Sequence, residues 1–525
     1  MNEYMLPPFV LMGIVGIMLL FWRGSGRSYA LTFTLFLLFG LLSIAYYAAD
    51  YFTGEGITDA VLFHLAVGSD GVDILDFTDL LVKLGGALAG LILFSWFAFH
   101  RFRKSPERNS VQPARTSLLR HLPVGSILAP VLACISLAAH PAAIDGMTIW
   151  SQYHTENENS DVSEFVHPIR LSATRSQHKN LVYLYLESLE RTYFDESKFP
   201  GLIRELRELE KSSISFHGLV QAPMTGWTIA GMTASQCGIP LSTFNVGRNG
   251  MGVRNHFLPG ATCMGDVLKN EGYHLTYVGG ADLKFAGKGN FYATHGFDEI
   301  IGLQEMDALT GGNQPKSKWG MYDDTTLDVA FQKFEQLSRA GKPFGLFSLT
   351  LDTHPPSGHV TPACSGQVYG DGQNKMLNAV HCADQLIGTF IRKIRSSPYA
   401  ENTILVVGSD HLVLSSDASA LIQAPGGMPR NNLLLVFDAG QPPRIVSRAG
   451  TTLDIAPTLL SLLGYESGEY AMGRNLFGKN PTMVEKFGFD VFAGKVEHWR
   501  TELWKYWNPP PGNQDGDRNQ KVAGK

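Results

Sequence analysis

"NTILVVGSDH", residues 402–411, is a short apolar run closed by Ser-Asp-His. A run of this length that stops abruptly in polar residues predicts a buried strand. Asp410 and His411 then lie together just past its carboxyl end. The pattern recurs in "NLVYLYLES" (180–188), "YHLTYVGG" (273–280), "PFGLFSLTLDTH" (343–354) and "NNLLLVFDA" (431–439). Between these runs, "FPGLIRELRELEKSS" (199–213), "NKMLNAVHCADQLIGTFIRKI" (374–394) and "TTLDIAPTLLSLLG" (451–464) space their apolar residues as helices do. Alternating strands and helices predict an α/β domain with a largely parallel central sheet. Ligands of such sheets gather at the carboxyl ends of the strands.

Three of the strand runs end in metal-type ligands: Glu187, Asp352 with His354, and Asp410 with His411. A single carboxylate after a strand is commonly no more than a helix cap. Three such endings on one sheet point to a shared site. Carboxylate oxygen with imidazole nitrogen suits Mn, Zn or Mg rather than thiolate-loving metals. Glu187, Asp410 and His411 supply three protein ligands and leave room for a nucleophile. A source for that nucleophile is "APMTGWTIAGMTASQCGIPL" (222–241), rich in Thr and small residues. Gly226, Gly231 and Gly238 make this stretch a poor core strand and a costly helix. A hydroxyl at the start of a short helix here has backbone N–H groups and the positive dipole end behind it, a ready phosphate site. Beside a divalent cation such a hydroxyl can ionise and attack phosphorus.

The chain has 525 residues, which predicts two or more domains. Its 43 basic and 48 acidic residues give a net charge of −5, against the basic stripe that nucleic-acid binding needs. The first third is strongly apolar. Segments 6–22, 29–49, 77–99 and 122–142 each approach the roughly 20 apolar residues of a membrane span. The first lacks a basic leader and is followed by further spans, so it reads as an anchor rather than a removed signal. Lys83, inside the third, can pair with Asp76 and Asp79 near the interface. Arg23 and Arg27 follow the first span, and Arg101, Arg103, Lys104, Arg108, Arg115 and Arg120 follow the third. The intervening loop has Glu55, Asp59, Asp70 and Asp73 but no Lys or Arg. Positive-inside bias then puts everything after residue 142 outside the cytoplasm. Cys134 lies in the fourth span. Cys237, Cys263, Cys364 and Cys382 lie in the exported part, an even set that permits two disulfides. Neighbour pairing is the simplest of the arrangements the sequence leaves open. The absence of CxxC argues against a structural zinc site. The expected organisation is a membrane domain over 1–142, a polar linker over 143–178, a catalytic domain over 179–482, and a C-terminal extension over 483–525. That extension is partly disordered, ending in "NPPPGNQDGDRNQKVAGK".

Four motifs in order, "LYLESLE", "TGWTIAGMTASQCGIPL", "TLDTHPP" and "VVGSDH", give residues 180–465 a resemblance to the sulfatase-like branch of the alkaline phosphatase superfamily. That branch includes arylsulfatases, lipoteichoic acid synthases, phosphoethanolamine transferases and the phosphoglycerol transferases of osmoregulated periplasmic glucans. "ESLE", "GWTIAGM…SQCGIPL" and "GSDH" resemble the last group. The resemblance implies an N-terminal helical membrane domain followed by an alkaline-phosphatase-like domain. It implies one divalent cation, Mn²⁺ with Mg²⁺ or Zn²⁺ as alternatives, held by Glu187, Asp410, His411 and a nucleophilic threonine. Arylsulfatase spacing to Gly238 selects Thr228, whereas the spacing of lipoteichoic acid synthases selects Thr225; Thr228 is preferred. The Cys or Ser that matures to formylglycine in sulfatases is absent, which argues against sulfate-ester hydrolysis. His354 is implied to bind the phosphoryl oxygens or to protonate the leaving alkoxide. Asp282 and Lys288, in "GGADLKFAGKGNF" (279–291), fall where relatives contact the headgroup, and Trp227 adjoins the nucleophile. The implied reaction moves sn-glycerol-1-phosphate from phosphatidylglycerol to a periplasmic glucan through a covalent threonine intermediate, in a multi-pass protein of the bacterial inner membrane. The partners are a phospholipid donor, a glucan acceptor and the membrane, with no nucleic acid. The alternatives are a phosphoethanolamine transferase acting on lipid A or a glycan, a phosphodiesterase with water as acceptor, and a non-catalytic membrane sensor or scaffold.

Overall fold

A computed structural model describes residues 6–22, 25–53, 56–58, 61–62, 77–104, 124–154, 160–167, 169, 172–173, 179–242, 256–414, 416–423, 430–466 and 469–507. The chain divides into two compact units, residues 1–61 with 74–155, and residues 62–73 with 156–525.

The first unit is helical. Its helices are Leu6–Leu20, Gly26–Thr53, Thr78–Arg103, Val124–Ala138 and Pro141–His154. Met12, Val15, Leu19, Phe39, Ala129 and Ala133 pack inward. Leu31, Leu41, Leu93 and Trp96 are exposed, so the outer face is apolar as well, unlike that of a water-soluble bundle. Two helices, Gly26–Thr53 and Thr78–Arg103, are long and apolar enough to cross a membrane. The pair Gly125–Ala138 and Pro141–Ser151, bent by 54°, makes a third if counted as one span. Leu6–Leu20 is shorter, at 15 residues. The fourth expected segment is therefore broken rather than continuous. Pro141 has no N–H to give the preceding turn and disfavours helical geometry at His140. Asp79 accepts a hydrogen bond from the Tyr51 hydroxyl at 3.0 Å. Arg23, Glu55, Asp59, Asp70, Asp73, Asp76, Arg108, Arg115 and Arg120 lie outside the described residues, so most of the charges used to orient the chain lie there too.

The second unit is built on an eight-stranded sheet. In chain order its strands are β1 Asn180–Leu186, β2 Ile214–Phe216, β3 His274–Gly279, β4 Glu299–Ile301, β5 Phe344–Leu349, β6 Thr403–Ser409, β7 Leu434–Phe437 and β8 Arg444–Val446. They lie in the order β8-β2-β7-β6-β1-β5-β3-β4. Only β7 runs antiparallel to its neighbours, β6 and β2. β1 and β6 are buried along their whole length, as expected of strands covered on both faces. Val182, Leu184 and Leu186 share a core with the helices Asp323–Ala340 and Lys375–Arg395. By alternation Tyr183 and Tyr185 face the other way, and the Tyr185 hydroxyl meets Ser235 Oγ at 2.9 Å on the helix Thr228–Cys237.

Both neighbour disulfides form, Cys237–Cys263 and Cys364–Cys382. Of the extension expected over 483–525, residues 483–507 are helical and folded. Met483, Val496, Trp499 and Leu503 pack with Phe165 and Met472, because Val496, Trp499 and Leu503 fall on one helical face. Trp507 Nε1 donates to the Ser242 carbonyl at 3.0 Å. Of the linker expected over 143–178, residues 143–154 belong instead to the helix Pro141–His154, and 155–159, 168, 170–171 and 174–178 lie outside the described residues, as do the Pro- and Gly-rich residues 508–525.

Candidate active site

Register assembles the site. β1 and β6 pair in parallel from Asn180 with Thr403 through to Leu186 with Ser409, so Glu187 and Asp410 leave the sheet side by side. On the other flank Tyr185 pairs with Leu349, and Leu349 with Gly279. The segments carrying His354 and Lys288 therefore emerge at the same sheet edge. Glu187, Asp410 and His411 are all buried, and their ligand atoms lie within 4.8 Å of one another. His411 Nε2 is 3.3 Å from Glu187 Oε1 and 3.5 Å from Asp410 Oδ2.

The surroundings hold these side chains in place. Asp410 Oδ1 accepts the Ser188 and His411 backbone N–H groups at 2.9 and 2.7 Å. Ser188 adopts a left-handed φ of 52°, a strained conformation for a residue with a Cβ. Its hydroxyl donates to Glu187 Oε1 at 2.8 Å. His411 Nδ1 is 2.7 Å from the Leu412 carbonyl. A carbonyl only accepts, so Nδ1 carries the proton and the Nε2 lone pair faces two carboxylates. That arrangement is repulsive unless a proton or a cation lies between them. Asp410 Oδ2 is buried with no hydrogen-bond partner among the described residues. Burial, then the Glu187 charge, pushes the Asp410 carboxyl up to about 8. Burial would lower His411, but Asp410 and Glu187 outweigh it and raise the imidazole to about 9. Two carboxylates and an imidazole whose other nitrogen is fixed by a carbonyl form a donor set that fits a divalent cation.

The helix Thr228–Cys237 brings the hydroxyl. Thr228 is its first residue and Trp227 its N-cap. Thr228 Oγ1 donates to Glu187 Oε2 at 3.2 Å. Gly231 lets the helix come this close: a Cβ there would meet the Asp410 carbonyl oxygen at 1.9 Å. Gly238 ends the helix at φ 66°, in the left-handed region that glycine tolerates. Thr225 is placed differently, because its hydroxyl donates to the Ala222 carbonyl at 2.6 Å and it is fully buried.

His354 Nδ1 is 2.8 Å from the Pro355 carbonyl, so Nε2 bears a proton only when the ring is charged. Burial lowers its pKa, against the pull of Glu187. Lys288 begins the helix Lys288–Thr294 and is buried, with Nζ 4.6 Å from the Phe285 ring centre. Burial brings its ammonium down to about 8, while Glu187, Asp282 and Asp410 act in the opposite direction. Asp282 is engaged in its own loop. It accepts from Lys284 N–H at 2.7 Å and from Gln304 Nε2 at 3.2 Å.

The family profile for sulfatases matches residues 179–465, the segment carrying every one of these groups. The chain belongs to the sulfatase family. The profile of the phosphoglycerol transferase I N-terminal domain matches residues 5–160. Phosphoglycerol transferase I of Xanthomonas campestris pv. campestris (strain B100) is 39% identical over 472 residues, covering 89% of this chain and 64% of that protein. Its namesake from Escherichia fergusonii is 36% identical over 505 residues, covering 95% of this chain and 63% of that protein. The chain thus spans just under two thirds of these relatives' length. Among solved structures, the lipoteichoic acid synthase LtaP from Listeria monocytogenes aligns with a TM-score of 0.49 at 17% identity, over 68% of this chain and 98% of that one.

This sulfatase-family site also contains residues that motif reading passed over. Thr350 Oγ1 accepts the Glu187 N–H at 3.0 Å, and the Thr353 hydroxyl donates to the Glu187 carbonyl. Gln221 Oε1 accepts the Leu412 N–H at 2.6 Å. Trp319 lies over His354, with ring centres 3.9 Å apart. Each sits on a different element from the residue it supports. The local signal was slight, a lone Trp in the turn-like "SKWGMYDD" and two threonines flanking "LD".

Proposed function

We propose that this chain is a phosphoglycerol transferase that moves sn-glycerol-1-phosphate from phosphatidylglycerol to a hydroxyl of a periplasmic glucan. The observation that carries the reading is the Thr228 hydroxyl, at a helix start and 3.2 Å from Glu187, inside the Glu187–Asp410–His411 cluster. The phosphoglycerol transferase I relatives, matched across both the helical and the sulfatase parts, supply the substrate class. The apolar helices anchor the protein in the inner membrane as a multi-pass unit, with the sulfatase domain in the periplasm where the acceptor lies. Tethering to the bilayer raises the effective concentration of a lipid donor.

In this reading Glu187, Asp410, His411 and Thr228 would hold Mn²⁺, which would supply positive charge favouring ionised Thr228 and offsetting the phosphate. Thr228 releases its proton along its bond to Glu187 Oε2. Thr228 Oγ forms a bond to phosphorus, and the bond from phosphorus to the diacylglycerol oxygen breaks. Charged His354 gives its Nε2 proton to that leaving oxygen. A glucan hydroxyl then returns a proton to His354 as its oxygen bonds to phosphorus; the bond from phosphorus to Thr228 Oγ breaks, and Thr228 takes back its proton from Glu187 Oε2. This is covalent ping-pong catalysis. Lys288 faces the anionic donor, and its buried positive charge disfavours an ethanolamine ammonium in the same place. Asp282 holds the Lys288 loop, and Trp227 walls the nucleophile.

The test uses the full chain in detergent with Mn²⁺ and phosphatidylglycerol but no acceptor, read by intact mass. A glycerophosphate adduct that maps to Thr228 and disappears in Thr228→Ala is expected. An adduct on Thr225, or wild-type protein that stays unmodified and inactive, overturns the reading.

A further inference from the structure

His354 sits in the loop after β5, and the described hydrogen bond of its ring goes to the next residue's own carbonyl. One local bond leaves a ring free to rock about it. The Trp319 ring restrains it, lying 3.9 Å away and tilted by 34°. Trp319 is itself buried, at 6% exposure, with Phe285 of the Lys288 loop 5.8 Å away. It occupies the tip of a small hairpin in which Lys316–Ser317 pairs with Gly320–Met321. That hairpin is pinned to the end of β3. The Met321 N–H donates to the Gly280 carbonyl at 3.0 Å, and a Cβ on Gly320 would meet that carbonyl oxygen at 2.2 Å.

The hairpin runs straight into the helix Asp323–Ala340, whose first residue is clasped to the His354 loop. Asp323 Oδ1 accepts the Leu351 N–H at 2.6 Å, and Oδ2 the Asp352 N–H at 3.2 Å. In return Asp352 Oδ2 accepts the Asp323 N–H at 3.1 Å. The His354 N–H then closes a turn on the Leu351 carbonyl at 3.1 Å. The reciprocal carboxyl bonds fix the distance between the two segments that carry Trp319 and His354.

We propose that Trp319, held by the Asp323–Asp352 clasp, is a positioning residue that keeps the His354 ring aimed at the reacting phosphate. Its aromatic face also favours the charged imidazole, the form that carries a proton on Nε2. This inference rests on the transferase reading for its kinetic consequence and on geometry alone for the stack.

The experiment uses the full chain, with Trp319→Leu, Trp319→Phe, His354→Ala and the Trp319→Leu/His354→Ala double variant. Trp319→Leu lowers kcat about tenfold or more with KM within about twofold, because a mis-aimed proton donor loses much of its worth. Trp319→Phe restores most of that loss. In the His354→Ala background Trp319→Leu adds less than about twofold, since its effect passes through the histidine. Equal losses in both backgrounds, or a raised KM with unchanged kcat, overturn the proposal. With histidine labelled at ¹³Cε1, the His354 resonance, assigned by its loss in His354→Ala, sits upfield in the ring current of Trp319. It moves downfield in Trp319→Leu and not in Trp319→Phe. A resonance that stays put refutes the stack. If wild-type protein transfers nothing from phosphatidylglycerol, the transferase reading fails, and the resonance still decides on Trp319.

Discussion

Gly231→Ala sets two physical effects against each other. Alanine is better than glycine inside a helix by about 1 kcal/mol, so propensity alone predicts a more stable protein. The structure predicts the opposite. The new Cβ would sit 1.9 Å from the Asp410 carbonyl oxygen, where ordinary contact starts at 3.4 Å, so roughly 1.5 Å of movement is needed. The obstacle is backbone at the end of β6 and cannot rotate away. Overpacking of this kind costs about 1–3 kcal/mol, which offsets or exceeds the helix gain. The larger effect is on chemistry. Relief comes by lifting the helix, and Thr228, three residues earlier, moves off Glu187 with it. A displacement of about 1 Å at a reacting group costs on the order of a hundredfold in rate. The assay is kcat for glycerophosphate transfer together with the melting temperature. Gly494→Ala serves as control, because that helical glycine has nothing within 4 Å of an added Cβ and should gain stability with activity unchanged. Gly231→Ala with wild-type turnover and melting temperature would refute the close packing of helix on strand.

Two further outcomes follow from neighbouring groups. Thr225→Val leaves the buried Ala222 carbonyl without its 2.6 Å hydrogen bond, costing about 1–3 kcal/mol in denaturant titration while turnover stays within a few-fold of wild type; loss of turnover without loss of stability would reinstate Thr225 as nucleophile. Burial raises the Asp323 carboxyl from 3.8 to about 7, so the folded state keeps a proton that the unfolded chain releases. Stability therefore falls as pH rises from about 4 to 7 and levels off above, by on the order of 4 kcal/mol for a difference of that size. In Asp323→Asn the fall in melting temperature over that range should be shallower, and an unchanged slope would count against the assignment.

Much of the site is legible locally because catalysis in this fold sits where strands stop. "LYLESLE" and "VVGSDH" each place an acid directly after a buried strand, and parallel pairing brings Glu187 and Asp410 together without further information. The Thr228 helix is marked by glycines whose positions answer to close packing and a left-handed stop. The C-terminal boundary was less legible. The Pro-rich tail has the composition of a disordered end, whereas Val496, Trp499 and Leu503 have ordinary helical spacing and partners, Phe165 and Met472, that are far off in sequence. The break at His140–Pro141 was obscured by continuous hydropathy, which reports composition and not whether the helix stays straight.

The sequence by itself determined the fold class, the ligand types and their order along the chain, since strand period, helix period and strand-end polarity are local properties. Only the tertiary structure decided between Thr225 and Thr228 as the hydroxyl near Glu187. Both share one twenty-residue stretch, and which of them meets the carboxylate depends on how Gly231 seats the helix against β6. It alone joined Trp319 to His354 and Asp323 to Asp352. Those contacts link separate elements through side chains, and no period in the sequence encodes which distant side chain will fill a given space.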